Sequence, residues 1–320
     1  MSIFKNTKMK TLSRTLMIKL LLLLPGTLII QSYAVFARMP SKALKEEAWK
    51  FTKKDTLSME TMGKTKVFIT GSNSGETEIK LRYIDKPDEK FEVTETQRAV
   101  YLNANILNYN PHKPTQTYFE ECTLIITVPH GMYISCNGSS GEFEVNGFIG
   151  VLKVVYGQGR FSINNVEGSI NLQLGMLEAK IQHSKGSFNM SSGIGSVRAK
   201  DLTVNGESSF STGMGTVKIS LAREPEADLY VFSNFNKAQV SFNGHPVTGY
   251  FEFIANADEG RIISPFKFDK EEIFMDDIKN YRNASDSGKK SEYKMNSFIR
   301  GDSNPKITLK TVTGTAKLTK

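Results

Sequence analysis

The chain has 320 residues, 39% of them apolar and 23% charged, with two cysteines and four histidines. That balance excludes a disordered or collagen-like chain, a disulfide-stapled miniature and a cysteine–histidine zinc module. The formal net charge is +8, yet both signs are interspersed and no aromatic–basic platform is present, so nucleic acid is not expected as a partner.

Residues 1–37 read as an export signal. Lys5, Lys8, Lys10, Arg14 and Lys19 give a basic start without an acid, residues 20–30 form a short apolar core, and small or apolar residues lead to a cleavage point between Ala37 and Arg38. Pro25 and Gly26 interrupt the core, which is short for a spanning helix. If retained, the segment would instead anchor the chain in a membrane. No cysteine follows it, so a bacterial lipid anchor has no attachment point. Removing these 37 residues takes away five of 41 basic residues and no acids, leaving 36 against 33, or +3. The expected location is therefore the periplasm, the outer-membrane surface or the extracellular space.

Residues 38–62 form a polar lead-in, in which 44–51 fit two helical turns. Strands follow at 67–70 and 77–83, separated by a turn at 71–75. More follow near 92–94, 98–102 and 122–128, and 103–117, with Pro111 and Pro114, reads as a long turn.

Between Gly141 and Gly215 nine glycines recur at spacings of 9, 9, 9, 7, 11, 9, 11 and 9 residues. Gly141, Gly150, Gly159, Gly168, Gly175, Gly186, Gly195 and Gly215 each open the pattern glycine, any residue, apolar, polar, apolar. Gly206 is the weak member, with Ser208 at the first apolar position. Two apolar residues spaced by two share one face of a strand, and a glycine suits the corner before it. A longer period overlies this one: Ser192-Gly193-Ile194-Gly195 returns as Thr212-Gly213-Met214-Gly215, and Leu174-Gly175 and Tyr156-Gly157 belong to the same set. Two unlike strands per turn of roughly twenty residues predict a narrow, elongated, parallel β-solenoid. An antiparallel meander would share the spacing but not the repeated residues, and Asn-Gly hairpin signals do not separate each pair of strands.

Beyond the array, 228–232, 238–242 and 249–254 continue the β pattern less regularly. Residues 264–304, holding Glu271, Glu272, Asp276 and Asp277, read as a charged loop excursion. Residues 307–318 repeat the corner at Gly314 and read as a final coil. The expectation is all-β: one domain over 63–320 behind the signal and lead-in.

Catalytic chemistry is not signalled. Cys122 and Cys136 flank Pro129-His130-Gly131; if that segment is a hairpin they face each other and form a disulfide, and otherwise they are two small buried residues. His112, His130, His183 and His245 are scattered without a metal-ligand spacing, and no calcium-binding nonapeptide occurs. Glu142 and Glu144 share a face, as do Glu178 and Lys180, which suits a solvated surface better than a paired-carboxylate site. No catalytic, cofactor or metal residue is assigned.

The runs Val67-Phe-Ile-Thr-Gly-Ser, Leu124-Ile-Ile-Thr-Val-Pro129-His-Gly131 and Ser139-Ser-Gly141-Glu-Phe-Glu-Val, with the closing Thr311-Val-Thr-Gly, resemble the bacterial putative-adhesin β-solenoid family, similar to the head domains of autotransporter adhesins. The match covers about 64–225 and 305–320. It implies a cell-envelope protein of unknown function and supplies no catalytic residues. The leading expectation is a non-catalytic exported protein whose surface binds a glycan or an envelope protein. The alternatives are a polysaccharide-acting β-helix enzyme and a membrane-anchored sensor or scaffold.

Overall fold

A strand that buries every second side chain leaves backbone donors and acceptors on both edges, so it needs a neighbour on each. The computed structural model describes residues 44–84, 91–104, 122–276 and 291–320. The expected signal, the Ala37–Arg38 junction, His112, Asp277 and most of the 103–117 turn lie outside the described residues.

The described residues are all-β and contain no helix. The N-terminal end comprises β1 (Leu44–Thr52), β2 (Thr56–Ser72), β3 (Glu76–Ile84), β4 (Glu92–Glu95), β5 (Ala99–Ala104) and β6 (Cys122–Pro129). The glycine repeats form β7 (Tyr133–Asn146), β8 (Ile149–Asn164), β9 (Glu167–Gln182), β10 (Lys185–Ile194), β11 (Val197–Val204), β12 (Ser208–Met214) and β13 (Val217–Leu221). Next come β14 (Leu229–Ser233), β15 (Lys237–Ser241), β16 (Gly249–Asn256), β17 (Arg261–Ile263) and β18 (Lys270–Asp276). The chain closes with β19 (Ser291–Arg300), β20 (Lys306–Thr311) and β21 (Thr315–Thr319).

All join in one 21-stranded sheet of mixed direction. β2, β7, β8 and β9 pair in parallel along their lengths. Beyond β9 the stack continues as two parallel rows, β10–β12–β14–β20–β16 and β11–β13–β15–β21–β17. Register fixes the period. Asn146 bonds Asn164 and Glu167 bonds Lys185 across 18 residues, and the interval becomes 20 where Phe188 meets Ser208.

At the ends the direction reverses. β1 pairs with β3, β3 with β6 and β4 with β5 in antiparallel fashion, as do β19 with β16 and β18 with β19. The sheet is therefore mixed, not parallel throughout as the repeat alone predicts. The reason is local: an end rung has an unpaired edge, and an antiparallel strand covers it through a short connection.

Four expectations change with this topology. Residues 44–51 are strand, because Trp49 and Phe51 share a face against the core and lie opposite Ile79 and Thr77 of β3. The charged stretch 264–304 carries β18 and β19, whose Tyr293 and Phe298 are buried. β20 and β21 are not the last rung; they are inserted between β14–β15 and β16–β17. Pro129-His130-Gly131 is not a hairpin, since β6 and β7 both run parallel to β2.

Inward residues form continuous columns. Val67, Phe143, Phe161, Ala179, Val197, Val217, Ala238 and Ala316 follow one another in register, all buried. Burying each larger apolar side chain stabilises by about 1.5–3 kcal/mol, and each contact is shared with the rungs on both sides.

Candidate binding surface

The corners decide what the outer face presents. Gly141, Gly159, Leu177, Gly195 and Gly215 make one corner column. Gly159 has φ 128°, and a Cβ there would overlap the carbonyl oxygen of Gly141. Only glycine allows that approach. Gly150, Gly168 and Gly186 stack in the same way one strand away, and Gly314 stacks on Asn236. Gly175 stands elsewhere, between Gly157 and Gly193, so Leu177 occupies its expected corner; Gly206 lies against Ser187. A second corner has no repeated residue type to announce it. Gly147, Asn165, His183 and Asp201 occur every 18 residues with φ between 48° and 63°, and Asn, Asp and His are the side chains most at home there.

A row of hydroxyls runs inside the first corner. Thr212 donates to the Gly195 carbonyl at 3.0 Å, Ser233 to Gly215 at 2.7 Å and Thr311 to Asn236 at 3.1 Å. Each adds a hydrogen bond to a corner carbonyl, and the Asn236 carbonyl also accepts the Thr315 N–H at 3.0 Å. Tyr156 fills the equivalent place with its ring, donating to the Ser140 carbonyl at 3.0 Å. Burial, with Cys136 and Glu142 nearby, raises the Tyr156 phenol well above its ordinary range. Ser208, the odd member of the repeat, accepts the Phe188 N–H at 3.1 Å and donates to the Gly206 carbonyl at 2.8 Å.

Cys122 and Cys136 are buried thiols that are not joined to each other. Cys122 lies opposite Thr65 and Cys136 opposite Met59, six positions apart along β2. Burial pushes the Cys136 thiol up to about 12, partly offset by the Thr61 hydroxyl. His130 accepts the Ile149 N–H, and His183 stands 3.4 Å from Asp201 within the left-handed corner. Among the described residues no cluster of His, Cys, Asp and Glu could hold a metal ion.

The outer face of the 160s side of the stack carries ordered columns. Lys66, Glu142, Arg160 and Glu178 succeed one another in register, with Glu144 beside Phe68 and Ser162 in the next column. Lys66, Ser140, Glu142, Gln158, Arg160 and Met176 line an open depression there. Further along, Lys180, Arg198 and Lys218 form a second outward column. Met176, Ile194 and Met214 stand in a row on the adjoining corner, 52%, 45% and 53% exposed. These features suit multivalent contact along a face. The columns were hidden in the sequence because only the register shows which polar residues become neighbours.

No protein-family profile and no curated protein matches the sequence. Solved structures of low similarity do. A putative adhesin from Bacteroides fragilis aligns over 88% of this chain and 98% of its own, with 13% identity and a TM-score of 0.41. A putative cell adhesion protein from Clostridium sporogenes covers 87% and 99%, with 10% identity and a TM-score of 0.28. A putative lipid binding protein from Parabacteroides distasonis covers 87% and 97%, with 8% identity and a TM-score of 0.34.

Proposed function

We propose that the chain is an exported, non-catalytic cell-envelope protein whose parallel rungs coil as a solenoid and present a binding face to a glycan or a protein. The observation that carries this reading is the register of the outward side chains. Across β2, β7, β8 and β9 the outward residues meet their counterparts on the next rung, apart from the register shift between Thr61 and Lys64. One face thus offers ordered columns of polar and charged groups at the spacing of the rungs, an arrangement that lets several weak contacts act together. The row Met176, Ile194 and Met214 supports the same reading, since consecutive exposed apolar side chains mark contact surfaces.

Cell fractionation combined with glycan and envelope-protein arrays tests the proposal. Recovery in the envelope or medium, with saturable binding to an array component, supports it. A cytosolic protein that binds no component overturns it.

A further inference from the structure

Two columns on the same outer face arrange their charges in opposite ways. Neighbouring strands stand about 4.8 Å apart, and like charges directly opposed across them repel. Lys66, Glu142, Arg160 and Glu178 alternate in sign and so compensate one another. Two positions along the strands, Lys180, Arg198 and Lys218 follow one another with no acid between them. Lys317 stands in the same column beyond Gln239.

The three central cations are exposed. Among the described residues none has a carboxylate at ion-pair distance. The nearest acids are placed otherwise. Asp201 lies 3.4 Å from His183 and 3.9 Å from Lys200, and Glu178 closes the alternating column beside Arg160. Lys200 and Lys237 flank the row and add to its positive field. Such a row costs folding energy that a bound anion would offset.

We propose that the Lys180–Arg198–Lys218 row binds an acidic polysaccharide lying along the stack, one anionic group of the glycan to each rung. Sugar rings advance by a distance comparable to the strand spacing, so successive carboxylates can meet successive cations. Ser162 continues the row before Lys180 and separates it from Glu144, and Ser196 and Thr216, beside Arg198 and Lys218, are small and polar and can bond sugar hydroxyls. No aromatic ring stands among Lys180, Arg198, Lys218 and Gln239 to stack a base, which disfavours single-stranded nucleic acid as the occupant. The inference rests on the surface-binding function proposed above and narrows its ligand to a class.

The test is binding of the full-chain protein to immobilised polygalacturonate, with dextran as the neutral control, at low and raised salt. Wild-type protein should be retained on polygalacturonate, less so as salt rises. The triple change Lys180→Ser, Arg198→Ser, Lys218→Ser should weaken binding about tenfold or more. The control triple Lys80→Ser, Lys267→Ser, Lys270→Ser, at exposed positions away from this face, alters net charge equally and should stay within about twofold of wild type. The row variant should melt no lower than wild type, since it loses repulsion, and this separates lost contact from lost folding. Equal loss in both triples, no loss in the row variant, or equal displacement by single-stranded DNA overturns the proposal. Retention of a neutral glycan or an envelope protein without polygalacturonate also overturns it and leaves the surface-binding function standing; a cytosolic protein that retains nothing overturns both.

Discussion

The rings of Phe143 and Phe161 stack face to face one rung apart, with centroids 5.1 Å apart and planes inclined by 5°. Tyr156 meets Phe143 edge-on at 5.8 Å and 60°. In-register parallel pairing puts corresponding positions directly above one another, so a large ring on one rung favours a ring on the next. Phe161→Ala should cost about 3–5 kcal/mol in urea unfolding. In a double-mutant cycle with Phe143→Ala the coupling should be about 0.5–1.5 kcal/mol. Strict additivity would show that the rings are packed independently.

Glycines of the two corners should respond differently. Gly159→Ala places a Cβ against the Gly141 carbonyl at φ 128°, and should cost more than about 2 kcal/mol. Gly147 has φ 63° and open space where a Cβ would lie, and its column already holds Asn165, His183 and Asp201. Gly147→Asn should therefore stay within about 0.5 kcal/mol of wild type. Equal destabilisation of the two variants in chemical denaturation would contradict the close-approach account.

The repeat pattern alone suggests that an apolar residue at Ser208 would improve the core. The structure predicts the opposite. Ser208→Val removes the acceptor of the buried Phe188 N–H and the donor to Gly206, and should destabilise by about 1–3 kcal/mol. A raised melting temperature for this variant would show that the hydroxyl is dispensable.

Both cysteines are buried thiols, so unreduced protein should yield two titratable thiols once unfolded and none while native. The Cys136 thiol is pushed from 9.0 to about 12, and Tyr156 is raised above 10.0. Below pH 9 folded and unfolded chains both keep these protons. Above it the unfolded chain releases them first, so unfolding is favoured as pH rises. Stability should be insensitive to these groups near neutrality and decline from pH 9 upward, with a shallower decline in Cys136→Ala. A stability that climbs through that window would refute the burial of these groups.

The strands of the repeat region could be read from the sequence because alternation of buried and exposed residues is a local property. Their stacking order could not. Nothing local distinguishes Ile307 as the residue between Leu229 and Phe251, or Leu309 as the one between Val231 and Phe253, or Leu44 and Trp49 as strand residues. The corner at Gly175 was misplaced by two positions because Leu177 occupies that column without a glycine. The hydroxyl row leaves a faint signal, a Ser or Thr three residues before the corner position, at Thr212, Ser233 and Thr311. Its meaning appears only when Thr212 is seen to reach the Gly195 carbonyl of the rung before. Likewise only the register shows that Glu142 and Arg160 become neighbours of opposite sign while Lys180, Arg198 and Lys218 become neighbours of one sign.

The strands that cover the two ends of the stack are antiparallel and carry charge along their outermost members: Lys45, Glu46, Glu47 and Lys50 on β1, Lys270, Glu271 and Glu272 on β18. Such borders resist adoption by the border of another molecule. The number of rungs is thereby written into a single polypeptide. Any partner that recognises this face meets a tally of contacts that concentration cannot lengthen.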